Sequence, residues 1–377
     1  MISSLDIAPA FTVTGKRTIS VVVTHESKHY SASVPFGTST GKNEAVHLPP
    51  EKAQKNLPLL REKITGMEAD YRKADLAAEK ADGTNNFSRI GANLSLGISL
   101  AVARAQTDNL LFKIGSTAKG GFPVPVVNTI GGGKHGGSTD WQEFLLIPHS
   151  AKNPAEAYSV ALEAYEAASK RLRESGRLLG INREHALIAK LNDSETLELL
   201  SKIAAEYGLK LGVDCAASSF FDNGRYTYHN GRKLSAGEQI DYAVETAKRF
   251  GIFYMEDPAH EEDFESFAEI TRKLPNTLVT GDDVYCTNSG LLSKGIKSKA
   301  SGAIIIKPDQ IGSISKTEEV VSLAKKSGMA IIPSHRSNET PDAWLADLAM
   351  AFGAGYIKIG TGYDVSKHNR LMEIFSV

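Results

Sequence analysis

The sequence predicts an α/β barrel of the TIM type that follows a smaller α+β domain. In the second half of the chain, short apolar runs end in polar or charged residues and alternate with helical segments. From Glu256 onward the ends of these runs recur about every 25 residues, which is the strand–helix–strand spacing of parallel βα units. A region of roughly 250 residues built from such units is long enough for an eight-stranded barrel.

The N-terminal part has the mixed pattern of an α+β domain. The runs "RTISVVVTH" and "HYSASVPFG" are predicted strands that pair as a hairpin around "ESK". One helical stretch covers about residues 50–80. A second, "GANLSLGISLAVARAQTDNLLFKI", is predicted to be buried because small and apolar residues cover much of its surface. The Gly/Pro-rich segment "GSTAKGGFPVP" marks a boundary, which gives domains of residues 1–118 and 119–377.

Titratable side chains end six apolar runs of the second part. The runs are "LKLGVD", "FYMED", "TLVTGDD", "AIIIK", "AIIPSH" and "YIKIG", and the side chains are Asp214, Glu256, Asp282, Lys307, His335 and Lys358. Helical segments such as "SAGEQIDYAVETAKRF" lie between them. In a TIM-type barrel the C-terminal ends of the strands open into one shared mouth. We therefore expect these side chains to meet there.

An open doubly wound sheet is the alternative arrangement of such units. It normally carries a glycine-rich turn after its first strand, and "TIGGGKHGG" and "FGTSTGKN" are the candidates. The second is not a P-loop, because one residue too few separates Gly37 from the "GK" pair and Asn43 replaces the required Ser or Thr. The barrel is therefore favoured.

The bulk composition argues against several classes of protein. The 43 basic and 44 acidic residues leave a net charge of −1, so no overall field attracts nucleic acid. The N-terminal segment lacks the basic start and apolar core of a signal peptide, and no apolar run reaches the roughly 18 residues of a membrane helix. Two cysteines do not make a disulfide framework, which favours the reducing cytoplasm.

Three carboxylates at successive strand ends indicate a metal site. Asp214, Glu256 and Asp282 would repel one another in one mouth unless a hard cation lay among them, and Mg²⁺ prefers such oxygen ligands. A single carboxylate of this kind is more often a loop residue or a helix cap. Lys307 would be partly desolvated and close to the metal's charge, so its pKa should fall and make it a base. The alternative is a lysine that pairs with a neighbouring aspartate.

Nine segments, in order along the chain, resemble the enolase (phosphopyruvate hydratase) family. They are "VPFGTSTGKNEA", "GANLSLGISLAVARA", "PVPVVNTIGGGKHGG" with "WQEFLLIP", "GVDCAASSFF", "MEDP", "GDDVYCTN", "IIIKPDQIGS", "SHRSNET" and "IKIGTG". A lysine base beside a metal-stabilised enediolate is the general pattern of enolase-superfamily sites.

This resemblance covers nearly the whole chain. It implies an enolase-type barrel with an N-terminal α+β capping domain. It also implies a glycolytic lyase whose small phosphorylated carboxylic acid substrate is 2-phosphoglycerate, with phosphoenolpyruvate and water as products. Two Mg²⁺ ions, the second arriving with substrate, and a cytoplasmic homodimer are implied as well.

The resemblance further implies roles for individual residues. Lys307 would take the proton next to the substrate carboxylate, Glu184 would act as the general acid, and Glu143 would lie near the departing hydroxyl. The implied metal ligands are Asp214, Glu256, Asp282 and, for the second ion, Ser39. The implied substrate contacts are His135, His335, Arg336 and Ser337 at the phosphate end, Lys358 at the carboxylate end and Gln142 in the pocket wall.

The chain departs from the family pattern most in the acid loop. "INREHALIAKL" stands in place of "GDEGGFAP", so Glu184 matches the acid while Arg183, His185 and Ala186 replace an aspartate and two glycines. Glycine permits backbone angles that these residues resist, which leaves a solvated loop glutamate as the alternative interpretation of Glu184. In addition, Asp309 replaces the family's usual asparagine, and the chain is expected to lack the family's C-terminal helix.

Three functions stay open from the sequence. The first is the enolase reaction itself, which the matching base, metal and phosphate positions favour. The second is an enolase-like enzyme whose altered acid loop acts on a related phospho- or phosphono-carboxylate. The third is a non-catalytic binding protein on the same frame, which would be expected to lose its metal ligands or base. Stabilisation by Mg²⁺ distinguishes the third from the other two.

Overall fold

The N-terminal part of the molecule is a three-stranded antiparallel sheet packed on three helices. The computed structural model describes residues 1–38, 41, 43–115, 121–362 and 364–376. The N-terminal elements are β1 (Ile2–Phe11), β2 (Arg17–His25), β3 (Lys28–Ser33), α1 (Pro50–Ile64), α2 (Tyr71–Asp82), α3 (Ala92–Thr107) and a 3₁₀ helix (Leu111–Ile114). The strands pair in chain order, and the predicted α+β character is confirmed.

The predicted hairpin of β2 and β3 is present. The strands pair antiparallel around Glu26 and Ser27, whose positive φ angles of 49° and 61° make the tight turn. The sequence did not indicate β1, because a bulge between Ile2 and Ser4 and partly exposed residues on both faces obscure its period-two pattern.

The predicted helical stretch over residues 50–80 is two helices. Gly66, with a φ of 88°, lies in the break, and Asp70 begins α2 by accepting hydrogen bonds from the backbone N–H groups of Arg72 and Lys73. The next helix, α3, is buried around most of its surface, as predicted. Gly97 lets it approach the sheet closely, since a Cβ there would lie 2.4 Å from a methyl carbon of Val21.

The rest of the chain forms the barrel and the helices around it. Its strands are β4 (Val124–Gly131), β5 (Glu143–Ile147), β6 (Leu178–Ile181), β7 (Leu187–Ala189), β8 (Lys210–Asp214), β9 (Phe221–Asp222), β10 (Arg225–Thr227), β11 (Lys233–Leu234), β12 (Tyr254–Glu256), β13 (Leu278–Gly281), β14 (Ala303–Ile306), β15 (Ala330–Pro333) and β16 (Tyr356–Lys358). Its helices are α4 (Pro154–Glu174), α5 (Asp193–Tyr207), α6 (Ala236–Phe250), α7 (Phe264–Lys273), α8 (Ser289–Ser298), α9 (Ile314–Lys326), α10 (Trp344–Ala351) and α11 (Ser366–Phe375).

Eight of these strands close into the predicted barrel. Their order is β4-β5-β8-β12-β13-β14-β15, and β16 pairs with β4 at the other end. A bridge between Ser334 and Lys358 joins β15 to β16 and completes the ring. Ile305, Ile332, Tyr254 and Leu145 belong to the cluster of fully buried side chains inside it.

One barrel strand runs against the others. β5 is antiparallel to both β4 and β8, whereas the remaining neighbours in the ring are parallel. The segment 132–142 between β4 and β5 contains only a 3₁₀ turn, and parallel pairing needs a crossover of about a dozen residues or more, usually a helix. The uniformly parallel pattern expected from the βα spacing therefore does not extend to β5.

The C-terminal segment is helical, so the expectation that the chain lacks a C-terminal helix is wrong. The helix is α11, which contacts α4 and α10. The buried face of α11 includes Lys367 and His368 beside Leu371 and Ile374. Because a lysine and a histidine interrupt the apolar pattern of this face, hydrophobic periodicity did not predict the helix. Lys367 Nζ donates a hydrogen bond to the backbone oxygen of Thr340.

Candidate active site

A cavity of about 280 Å³ opens at the mouth of the barrel. Its wall contains most of the predicted site residues: His135, Gln142, Glu143, Glu184, Asp214, Asp282, Lys307, His335, Arg336, Ser337 and Lys358. Glu256 is fully buried and reaches the site through its hydrogen bonds with Lys358. The predicted ligand Ser39 lies outside the described residues. The N-terminal part adds Thr38 and Glu44 to the wall.

Three acidic side chains form a row across adjacent barrel strands. In the register of the sheet, Glu143 pairs with Asp214, and Asp214 pairs with Glu256. Because β5 is reversed, Glu143 begins its strand while Asp214 and Glu256 end theirs. The reversed strand thus adds a carboxylate at the same edge of the sheet.

Lys358 partly compensates the charge of this row. Its Nζ lies 2.9 Å from Oε2 of Glu143, 3.1 Å from Oδ2 of Asp214 and 2.8 Å from Oε2 of Glu256. Burial lowers the pKa of Lys358, but the charges of the three carboxylates outweigh burial and raise it well above its usual value. Burial and the charge of Asp214 raise the pKa of Glu256 well above its usual value. The single charge of Lys358 therefore does not neutralise all three carboxylates, and one of them favours its protonated form.

Lys307 forms the second buried ion pair of the mouth. It follows β14 directly, and its Nζ lies 2.5 Å from Oδ2 of Asp282, which follows β13. Burial is the largest single influence and lowers the pKa of Lys307, but the neighbouring carboxylates, Asp282 foremost and Asp283 with it, together outweigh burial and the net pKa is raised. The alternative interpretation, a lysine that pairs with a neighbouring aspartate, therefore describes the ligand-free site, and the lowered pKa beside a metal stays a prediction.

The donor set of the mouth suits a hard divalent cation. Asp214, Glu256 and Asp282 offer carboxylate oxygens that are buried, and Oδ1 of Asp282 has no hydrogen-bond partner. At present two lysines satisfy these oxygens: Lys358 bonds to Asp214 and Glu256, and Lys307 bonds to Asp282. The three predicted ligands therefore fit a metal in chemistry and burial.

The acidic and histidine groups with the tightest packing differ from the predicted triad. Among the described residues, two sets have ligand atoms within 4.8 Å of one another: Asp257, Asp282 and Asp283, and His135, Glu143 and Glu184. Both oxygens of Asp257 already accept backbone N–H groups, those of Asp282 and Asp283. Asp257 therefore fixes the segment that carries Asp282 and Asp283.

Glu184 lies at the tip of the hairpin formed by β6 and β7. Asn182 shapes the tip, since its Oδ1 accepts the backbone N–H groups of Glu184 and Ala186. His185 takes a φ of 65°, so the strain expected where the family has glycine is present at this position. Tyr165 donates its hydroxyl to the backbone oxygen of His185 at 2.9 Å and stacks on its ring. This support turns the Glu184 side chain into the cavity.

Glu184, His135 and Glu143 form one electrostatic cluster. Nδ1 of His135 lies 3.3 Å from Oε2 of Glu184 and 3.9 Å from Oε1 of Glu143. Burial lowers the pKa of His135, but Glu184 outweighs it and the pKa rises to about 9. Burial raises the pKa of Glu143 to about 7, whereas His135 outweighs burial at Glu184 and holds its pKa well below the usual range. Near neutral pH the cluster therefore carries a cationic His135, an ionised Glu184 and a partly protonated Glu143.

The loop after β15 carries three of the four predicted phosphate-end residues, and the fourth, His135, precedes β5 and lies beside Glu184. The enclosed position of His335 lowers its pKa to about 4, so its ring is neutral. Arg336 is buried, with Nη2 3.0 Å from Glu44 and Nη1 2.8 Å from Asp309. Ser337 Oγ accepts a hydrogen bond from the backbone N–H of Thr38 at 2.8 Å, which ties this loop to the N-terminal part.

Several residues of the wall were missed by sequence reasoning. They are Glu44, Lys134, Asp257, Glu261 and Asp283. Asp257 and Asp283 directly follow the predicted strand-end residues Glu256 and Asp282, so the same signal would have found them. Glu44 lies inside the segment "VPFGTSTGKNEA", which resembles the family, but nothing in its spacing relates it to Arg336.

Comparison with known proteins agrees with this geometry. The family model described as the enolase C-terminal TIM barrel domain matches residues 119–376, and that of the enolase N-terminal domain matches residues 2–114. An enolase of Archaeoglobus fulgidus is 39% identical over 374 residues, covering 96% of this chain and 93% of its own. The chain belongs to the enolase family.

Other relatives extend the same likeness across the chain. An enolase of Rubrobacter xylanophilus is 38% identical over 373 residues, with 91% of this chain and 87% of its own covered. One of Thermoplasma acidophilum is 35% identical over 381 residues, with 96% and 94% covered. The protein is thus an enzyme, a lyase of the enolase type with the enolase barrel. Among its described residues, no helix has both the length and the apolar character that crossing a membrane requires.

Proposed function

We propose that the protein is a phosphopyruvate hydratase that interconverts 2-phosphoglycerate with phosphoenolpyruvate and water. The observation that carries the proposal is one cavity in which Lys307, buried carboxylates and Arg336 meet. A lysine can remove a proton next to a carboxylate, and an arginine suits a phosphate. The glycolytic reaction is the usual one for enolases, and the family membership of the chain supports it.

In this proposal Lys307 removes the proton next to the substrate carboxylate. Two Mg²⁺ ions, one held by Asp214, Glu256 and Asp282 and a second with Ser39, would supply the positive charge that stabilises the resulting enediolate. Lys307 must first give up its own proton, and its contact with Asp282 opposes that loss. Base strength at Lys307 therefore depends on how far the charge of Asp282 is engaged elsewhere.

The departing hydroxyl is protonated from the cluster of His135, Glu143 and Glu184. Glu184 holds the position of the family's acid, and its contact with His135 supports this role. Glu143 is the member of the pair with a pKa near 7, so it is the carboxyl group that holds a proton in the ligand-free site. We therefore assign Glu184 and Glu143 jointly to the step in which hydroxide leaves.

The remaining predicted residues bind the two ends of the substrate. His135, His335, Arg336 and Ser337 meet the phosphate end, Lys358 meets the carboxylate end, and Gln142 lines the pocket. A capping domain of residues 1–118, a barrel domain of residues 119–377, a homodimer and a cytoplasmic location complete the proposal. The segment 116–120, which contains the domain boundary, lies outside the described residues.

A related phospho- or phosphono-carboxylate is the second candidate substrate. The observation that favours it is a neighbouring cavity of about 590 Å³, lined by Arg183, Lys134 and Glu184 among others. The two cations would suit an additional anionic group. A non-catalytic binding role finds no comparable support, because the predicted base and the buried carboxylates stand together.

Turnover of 2-phosphoglycerate tests the proposal. Phosphoenolpyruvate formation is followed by ultraviolet absorbance with Mg²⁺ and, as the control, with EDTA. We expect metal-dependent turnover on the order of 1–10³ per second. Exchange of the substrate's α-proton with solvent, without product formation, would contradict the dehydration assignment and favour the second candidate. Lys307→Ala should abolish that exchange, and its persistence would remove Lys307 as the base.

A further inference from the structure

Arg336 is held between two buried carboxylates. Its Nη1 lies 2.8 Å from Oδ2 of Asp309, and its Nη2 lies 3.0 Å from Oε2 of Glu44. No more than 5% of any of the three side chains is exposed. The guanidinium charge is therefore shared by two acidic groups before any anion arrives.

The two carboxylates stand on different sides of the arginine. Glu44 and Arg336 belong to the described wall of the main cavity, and Asp309 lies behind them in the 3₁₀ helix Pro308–Gln310. That helix is fixed to the barrel, because Gln310 accepts a hydrogen bond from Thr287, whose hydroxyl oxygen accepts the backbone N–H of Lys307. Asp309 thus places a firmly held negative charge behind the guanidinium, as an ion pair without a hydrogen bond to Nη1.

His47 also faces Asp309. Its Nε2 lies 3.1 Å from the backbone oxygen of Asp309 and 3.6 Å from the carboxylate Oδ2. The backbone oxygen is the nearer of the two atoms to His47, so His47 chiefly holds the main chain at Asp309. The carboxylate of Asp309 forms its ion pair with Arg336. The charge of Asp309 therefore acts chiefly on Arg336.

We propose that Asp309 is a positioning residue that sets the affinity of the site for the phosphate end of the substrate through Arg336. This inference rests on the proposed function, in which Arg336 meets that phosphate. Asp309 holds Nη1 by charge, so an anion that reaches Arg336 from the cavity competes with Glu44 for Nη2. Its charge also offsets that of the guanidinium, so the anion is held less tightly than by an arginine without this partner.

The family's usual asparagine at this position provides the test variant. Asp309→Asn keeps an acceptor oxygen and the shape of the side chain but removes the negative charge. We expect the Kd of inorganic phosphate, measured calorimetrically with Mg²⁺ present, to fall about three- to tenfold, with a steeper dependence on salt. KM for 2-phosphoglycerate should fall by a similar factor while kcat changes by less than twofold.

Two further variants separate charge from position. Asp309→Ala removes the acceptor as well as the charge, so Arg336 loses its support and phosphate should bind more weakly than to Asp309→Asn. Asp6→Asn is the matched control, because it removes one carboxylate charge from an exposed pair with Arg61 in the N-terminal sheet. It should leave the Kd, KM and kcat unchanged.

The phosphate titration does not depend on turnover, so the two proposals can fail separately. If Asp309→Asn binds phosphate as the unsubstituted protein does, or more weakly, the role of Asp309 is overturned even in an active enzyme. If the unsubstituted protein does not convert 2-phosphoglycerate, the proposed function fails, and tighter phosphate binding by Asp309→Asn would still support the role of Asp309.

Discussion

The contact between Glu184 and His135 makes a measurable prediction about the acid loop. Replacing Glu184 by Gln keeps the size of the side chain but removes the carboxylate 3.3 Å from Nδ1 of His135. Glu184 is the largest influence that raises the pKa of His135 to about 9, and burial alone would lower it. In Glu184→Gln the pKa of His135 should therefore fall well below 9, with Glu143 and Asp214 left to oppose the effect of burial.

The size of the effect follows from the same values. A pKa of about 9 against an ordinary value of 6.5 corresponds to about 3 kcal/mol of preference for the cationic form. Because the pKa is raised on folding, this stabilisation is fully present below pH 6.5 and is lost as the pH rises through about 9. Glu184→Gln should therefore destabilise the protein at pH 6 by up to about 3 kcal/mol and have little effect above pH 9.

Nuclear magnetic resonance titration of the ten histidine rings measures the pKa directly. His135→Gln identifies the relevant signal, and metal-free protein in EDTA reproduces the described state. Glu174→Gln removes an exposed glutamate elsewhere and should leave the titration of His135 unchanged. If His135 still titrates near pH 9 in Glu184→Gln, Glu184 does not face it, and the described position of the acid loop is refuted.

Two other buried charges give further predictions. Burial raises the pKa of Asp75 from 3.8 to about 6, so its protonation stabilises the fold below pH 3.8 and this contribution is lost as the pH rises through 6. Asp75→Asn should therefore gain up to about 3 kcal/mol relative to the unsubstituted protein between pH 4 and 7 in urea unfolding, and a difference that does not vary with pH would contradict this. Lys358→Met leaves three carboxylates without their shared cation and should cost about 3–5 kcal/mol. Added Mg²⁺ should then raise its Tm more than that of the unsubstituted protein, and an equal rise would argue against a metal among these carboxylates.

The parts of the fold that obey local periodicity could be predicted from the sequence. The βα spacing located the strands that end at Asp214, Glu256 and Lys358, and parallel pairing then brought these residues to one edge. The reversal of β5 could not be predicted in this way, because direction depends on the connecting segment as well as on the strand. Glu143 therefore entered the candidate site by resemblance alone.

The ion pairs of the site depend on distances that no sequence spacing contains. Lys307 was correctly placed at a strand end, yet the sign of its pKa shift follows from Asp282 on the neighbouring strand. The substitutions in the acid loop predicted strain, and His185 does take a left-handed φ. What holds this strained turn, Tyr165 on α4, is distant in the chain and was not predictable.

The pairing that closes the barrel lies at the mouth, between two of the proposed substrate contacts. β15 and β16 meet through a bridge at Ser334 and Lys358, and the backbone N–H of His335 donates to the backbone oxygen of Lys358. The proposed substrate would contact His335 on one side of this seam and Lys358 on the other. A bound ligand would thus bridge β15 and β16, and part of its binding free energy would oppose separation of these two strands. The amide hydrogens of the strands that meet at this bridge would then exchange with solvent more slowly as more of the sites are occupied.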